Sequence, residues 1–169
     1  MSNVKAVIIR RNSSGNMTNR IITTPKAVNI VQEGLRASDN MTMMLSAEHA
    51  VQQGDEVLIS ALDHHANIVP WQLLGDSLGI VLKVIPCDDA GELILSELDQ
   101  LLSERTKVVS VGHVSNAIGT VNDIDRIFSA ARKVGAFTVL DAAQSAPHMS
   151  ISPKDIDCDF LTFSGHKTY

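Results

Sequence analysis

The chain has 169 residues, of which 44% are hydrophobic and 20% charged, values that fit one domain with a proper core and exclude general disorder. Its net charge of −5, with no Lys/Arg run longer than Arg10-Arg11, argues against a nucleic-acid surface. The apolar stretch Ala6 to Ile9 is too short for a signal-peptide core or a membrane span, and Cys87 and Cys158 form no metal-ligand spacing. The expectation is a soluble cytoplasmic protein with reduced thiols and neither nucleic acid nor membrane as partner.

Along the chain, Val4 to Arg11 fits either a helix tail or a strand, and residues 12–16 form a polar turn. Arg20 to Thr23 reads as a strand running into a helix opened by Thr24-Pro25, because threonine caps and proline suits the first helical position. Such a junction can receive a phosphate on its unpaired amides. Residues 36–53 carry methionines at 41, 43 and 44 and show no clear period. Beyond them a rhythm begins: strand 57–60, helix 68–78, strand 80–85, helix 95–105, strand 107–112, helix 123–133, strand 137–140, a loop, and strand 159–163. The strands are continuous apolar runs, and Leu95, Leu98, Leu101, Leu102 and then Ile124, Ile127, Phe128, Ala131 have helical spacing. This alternation predicts an α/β fold, a mostly parallel sheet with helices on both faces.

In such a sheet ligands lie beyond the carboxyl ends of the strands. Asp63, His64, His65 and Asn67 follow the first strand of the rhythm; His113, Ser115 and Asn116 follow the third. Asp141 and Gln144 follow the fourth, and Ser164, His166 and Lys167 follow the fifth. A lysine beside a histidine at a buried strand end can act as an amine nucleophile toward an aldehyde. An aspartate on a neighbouring strand can keep a pyridine nitrogen protonated, and an imidazole can lie flat on that ring. Each residue also has an ordinary use, as a solvated lysine, a turn-forming aspartate or a packed histidine; their convergence on one edge is what points to chemistry. Rival chemistries lack their motifs: there is no H-E-x-x-H, no G-x-G-x-x-G after a strand, and no G-x-S-x-G.

The strings DEVLISALDHHANIVPWQLL, HVSNAIGTVNDI, VLDAAQSAPHM and CDFLTFSGHK closely resemble the pyridoxal-phosphate cysteine desulfurases of the sulfur-mobilising type, within the class V aminotransferase-like family. The resemblance implies the large domain of a fold type I aminotransferase-like protein. Residues 54–169 match its cofactor-binding core, residues 1–53 match the preceding part loosely, and the C-terminal small domain is expected to be absent. It also implies pyridoxal 5'-phosphate as cofactor, joined covalently to Lys167 and paired with Asp141 at its ring nitrogen. His64 then stacks on the ring, Gln144 and Asn116 donate around the ring hydroxyl, and Ser164 and His166 hold the phosphate together with Thr24. The implied reaction removes sulfur from L-cysteine or a related amino acid, leaving L-alanine and a persulfide. A sulfur-acceptor protein and a homodimer are the implied partners, in sulfur metabolism and iron–sulfur cluster assembly.

The sequence departs from the family pattern at three points. Thr24 is the retained member of a phosphate loop that continues here with Pro25, which has no amide to donate. Asp63 stands where a glutamate is usual. Neither Cys87 nor Cys158 matches the sulfur-accepting cysteine, so the isolated chain is expected to be inactive. Two other readings fit the residues: a non-catalytic partner of a complete subunit, and a related selenocysteine lyase or aminotransferase.

Overall fold

The computed structural model describes residues 5–11, 17–23 and 51–168. The helix expected after Thr24-Pro25, and most of the stretch 36–53, lie outside the described residues. Among the described residues seven strands form one sheet: β1 Lys5–Arg11, β2 Met17–Thr23, β3 Glu56–Ser60, β4 Val81–Ile85, β5 Thr106–Gly112, β6 Phe137–Asp141 and β7 Phe160–Ser164. Their spatial order is β2-β1-β7-β6-β5-β3-β4. The pairs from β7 through β4 are parallel, whereas β1 runs antiparallel to both β2 and β7. The undecided segment Val4 to Arg11 is therefore a strand over its described residues, fixed by pairings such as Ala6 with Ser164 that no local pattern reveals.

Helix α1 spans His65–Leu78, α2 Leu98–Leu101, α3 Ile124–Lys133 and α4 Pro153–Ile156. Strand β3 alternates its buried residues between two cores. Val57 and Ile59 pack with Trp71 and Leu74 of α1, while Leu58 packs with Leu98 of α2 and with Ile127, Phe128 and Ala131 of α3. The sheet thus has helices on both faces, as the alternation predicts. Their distribution follows from handedness. The chain moves outward from β3 to β4, then returns past β3 to β5 and continues the other way to β6 and β7; right-handed crossovers in opposite directions must lie on opposite faces.

Two boundaries depart from expectation. Helix α1 begins three residues earlier than position 68, because His64 caps it: its Nδ1 accepts the Ala66 amide at 3.1 Å. The helix expected over 95–105 is a 3₁₀ turn, Leu95–Glu97, followed by one turn of α2, and Leu102 is already extended. In contrast α3 is bounded as its sequence suggests, with the Asp123 carboxylate accepting the Arg126 amide and Gly135 at φ 75° just past its end.

What shortens the second helix is Glu56, a carboxylate buried at the start of β3 with 1% exposure. It accepts the Ser103 hydroxyl at 2.6 Å and the Thr106 hydroxyl at 3.0 Å, and pairs with Lys83 at 2.9 Å and Arg105 at 3.1 Å. A shift of register opposite Lys107 lets Glu56 face Thr106 while Val57 faces Val108. Burial alone would raise this carboxyl; the hydrogen bonds from Ser103, Lys83 and Thr106, with the charge of Lys83, instead hold it at about 2. A depressed acid stabilises the fold above its unfolded value near 4.5 and loses that contribution as pH falls toward 2. Glu56→Ala is therefore expected to cost roughly 3 kcal/mol at pH 7 and to flatten the acid limb between those pH values, measured by urea unfolding across pH.

Candidate functional site

The reversal of winding at β3, whose two neighbours β4 and β5 both follow it in the chain, opens a crevice beyond the carboxyl ends of β3 and β5, the usual ligand position in an open α/β sheet. A cavity of about 280 Å³ lies there. Six of the eight residues singled out from sequence line it: His64, Asn116, Asp141, Gln144, Ser164 and Lys167. Of the other two, Thr24 lies outside the described residues, and His166 is placed only by its backbone, in the 3₁₀ turn Gly165–Lys167 after β7.

Each side chain is delivered by a strand end. His64 is exposed at the start of α1, and because its Nδ1 accepts an amide, the neutral ring carries its proton on Nε2. Asp141 ends β6; its Oδ1 accepts the Ala143 amide at 2.9 Å, and its carbonyl accepts the His113 amide at the same distance. Asn116 is exposed on the loop after β5, where Ser115 N–H donates to the Thr120 carbonyl at 2.9 Å and Val114 bridges Val121. Ser164 is buried at the end of β7, and Lys167 is exposed three residues on.

The neighbouring histidines stand apart. His65 meets His64 edge-on, with ring centroids 6.2 Å apart, and is not part of the cavity wall. The His113 ring is half-buried, and its Nδ1 has no hydrogen-bond partner among the described residues. Burial lowers the pKa of His113 against the opposing charge of Asp125, which favours a neutral ring. Among the described residues no group of three or more His, Cys, Asp and Glu side chains could hold a metal ion.

Two supports escape a reading of sequence. Asn67 is fully buried; its amide donates to the Ser110 carbonyl at 3.0 Å and its Oδ1 accepts the Ser110 hydroxyl at 2.5 Å. This bolts the first turn of α1, and so His64, to β5. Asp63, half-buried as a residue, accepts the Ser60 amide at 2.7 Å and the Gly112 amide at 2.6 Å. Desolvation of its carboxylate, with a smaller push from the Asp141 charge, outweighs those amides and raises it to about 6. The contribution of the protonated form to stability is fully present below pH 3.8 and is lost as pH rises through 6. The only sequence signal for either is that polar residues flank His64; their partners lie 43 and 49 positions away.

The class V aminotransferase family model matches residues 18–169, and the chain belongs to that family. It is 46% identical over 149 residues to a probable cysteine desulfurase of Mycolicibacterium paratuberculosis, covering 88% of this chain and 22% of that protein. To the cysteine desulfurase of Dickeya dadantii it is 48% identical over 120 residues, covering 71% of this chain and 29% of the relative. The chain thus spans under a third of the length of either. The crystal structure of the Escherichia coli cysteine desulfurase CsdA superposes with a TM-score of 0.70 at 27% identity, over 84% of this chain and 38% of that one. The fold is that of the fold type I pyridoxal-phosphate enzymes, and pyridoxal 5'-phosphate is the family's cofactor. Among the described residues no helix is long and apolar enough to cross a membrane.

The cavity suits that cofactor on its own chemistry. It offers a carboxylate for a pyridinium nitrogen, an imidazole for a ring face, an amine for an aldehyde and hydroxyl and amide donors for anionic oxygens. Gly112 also lines it, and a Cβ there would approach Asp63 Oδ1 to 3.1 Å, so a side chain at this position would crowd the Asp63 carboxylate. Asn67→Ala is expected to lower stability by about 2–3 kcal/mol, since it strands the buried Ser110 hydroxyl and carbonyl; chemical denaturation measures this.

Proposed function

We propose that this chain supplies the cofactor-holding half of a pyridoxal-phosphate-dependent cysteine desulfurase. The observation that carries the reading is the gathering of His64, Asn116, Asp141, Gln144, Ser164 and Lys167, from four separate strand ends, around one cavity at the switch point. The identity to cysteine desulfurases supports the choice of L-cysteine as substrate.

When bound, the cofactor supplies an electron sink for carbanion chemistry at the amino acid. The protein's share is positioning and proton handling. Lys167 provides the amine that anchors the aldehyde carbon and then accepts or returns a proton at its Nζ. Asp141, held by the Ala143 amide, would place its carboxylate against the ring nitrogen, where it would favour a protonated ring. His64 would cover one face of the ring, and its Nε2–H can donate a hydrogen bond toward the substrate. Gln144 and Asn116 orient the ring hydroxyl, while Ser164, His166 and Thr24 bind the phosphate.

The net reaction turns L-cysteine and an accepting thiol into L-alanine and a persulfide. The acceptor is a thiol other than the two present: Cys158 is fully buried in the core, Cys87 follows β4 at the sheet edge, and neither lines the cavity. The chain by itself is therefore expected to hold cofactor without turning over.

Titration with pyridoxal phosphate is expected to produce a visible absorbance band that borohydride fixes to Lys167, as mass spectrometry of the peptide would show. Lys167→Ala abolishes the band, and Asp141→Asn shifts it and weakens binding at least tenfold. Alanine release from one equivalent of L-cysteine per chain, with neither added thiol nor excess substrate to accept sulfur, together with a persulfide on Cys87 or Cys158, would contradict the assignment of the acceptor. Failure of the wild-type chain to form any band would sink the cofactor reading.

A further inference from the structure

We propose that Asp63 is a positioning residue for this cavity: its carboxylate, bound to the Ser60 and Gly112 amides, fixes the spacing between the strand ends that deliver His64 and Asp141. The inference rests on the reading of the cavity as a cofactor site, but its geometry does not depend on a bound ligand.

The carboxylate sits at the switch point, where β3 and β5 are neighbours but their chain connections diverge. The register between these strands runs as far as Leu58 opposite Val109, so their last residues lie beyond that ladder. Asp63 spans this gap. Its Oδ2 closes the turn back onto Ser60, the last residue of β3, at 2.7 Å, and its Oδ1 reaches Gly112, the last residue of β5, at 2.6 Å. Gly112 is held from its other side as well, since its carbonyl accepts the Asn122 side-chain amide at 2.7 Å.

That peptide is the hinge of the site. Gly112 pairs with Asp141 in the β5–β6 register, and the next amide, His113, donates to the Asp141 carbonyl at 2.9 Å. On the other side Asp63 directly precedes His64, whose ring caps α1. One carboxylate therefore sits between the residue assigned to the ring face and the strand end assigned to the ring nitrogen. Both its oxygens are used, which distinguishes an acid from an amide here: asparagine offers a single acceptor, so Asp63→Asn can keep only one of the two bonds. Glutamate reaches the same donors with one more methylene.

The test compares Asp63→Ala, Asp63→Asn and Asp63→Glu with the wild-type 169-residue chain. Without cofactor, amide hydrogen exchange is followed at Gly112, His113 and Ala143, with Ile127 in the core of α3 as the reference for global opening. Asp63→Ala is expected to speed exchange at the three site amides at least tenfold beyond any change at Ile127, Asp63→Asn by less, and Asp63→Glu by under threefold. Equal acceleration at all four positions, or none at the site, overturns the proposal, because the carboxylate would then be a general stabiliser or idle. With pyridoxal phosphate added, Asp63→Ala should weaken binding about tenfold and reduce the induced circular dichroism of the band, and Asp63→Glu should restore both. A wild-type chain that binds no cofactor defeats the site reading while the exchange measurement still decides the role of Asp63. Unchanged affinity and dichroism in Asp63→Ala, in a wild-type chain that does bind, defeats the positioning role alone.

Discussion

The constraint on which the rest of the structure depends is the reversal of the parallel sheet at β3. Both strands that flank β3 follow it in the chain, so α1 leaves toward one face and the later crossovers occupy the other. Connections that part in this way leave a crevice at the carboxyl ends, and no main-chain ladder can close it. Side chains do so instead. Asn67 grips Ser110 one layer down, and Asp63 grips Gly112 at the rim. From there the position of each functional group follows laterally, because Gly112 is in register with Asp141, Asp141 with Thr162, and Ser164 lies two residues further along β7.

The same arrangement explains why the site carries more polar material than a sheet edge needs. His64 has two tasks, capping α1 through Nδ1 and facing the cavity, and the first restricts the ring for the second. Asp141 is similarly tied through the Ala143 amide before any ligand is considered. Groups whose orientation is fixed by folding do not have to be ordered by the ligand, and that preorganisation is where a protein contributes to cofactor chemistry. Lys167, exposed at the last position of a short turn, is the freer member, which fits its proposed role as an amine that both anchors and moves protons.

Much of this was legible in sequence for a simple reason. Strands buried on both faces appear as unbroken apolar runs, and the polar residue that ends each run is the one placed at the crevice. Hence β3, β5, β6 and β7, and with them His64, Asp141 and Ser164, could be read directly. Helix α3 is equally clear, because Ile124, Ile127, Phe128 and Ala131 keep helical spacing over the span that the structure bounds with the Asp123 cap and Gly135. The second helix was misjudged because Leu95, Leu98, Leu101 and Leu102 keep helical spacing, while Ser103 and Thr106 are drawn instead to Glu56, which lies 47 and 50 positions back. Asp63 and Asn67 were undervalued for the same reason, since their partners are distant in the chain.

Sequence reads Arg20 to Thr23, within β2, as a strand but leaves Val4 to Arg11 undecided, and the placement of β1 bears directly on the lysine. Strand β7 is in register with β6 at three residues, Phe160 to Thr162, and with β1 at five, Phe160 to Ser164. Its last two residues, Phe163 and Ser164, lie beyond the β6 register and are paired with the antiparallel partner, opposite Val7 and Ala6. Those residues lead straight into Gly165, His166 and Lys167. Without β1 this end of β7 would be an open edge with unpaired amides, a poor support for a group that must sit at a fixed distance from Asp141. Residues near the start of the chain thus pair with the strand that leads to Lys167, and β1, β2 and the later strands form one sheet.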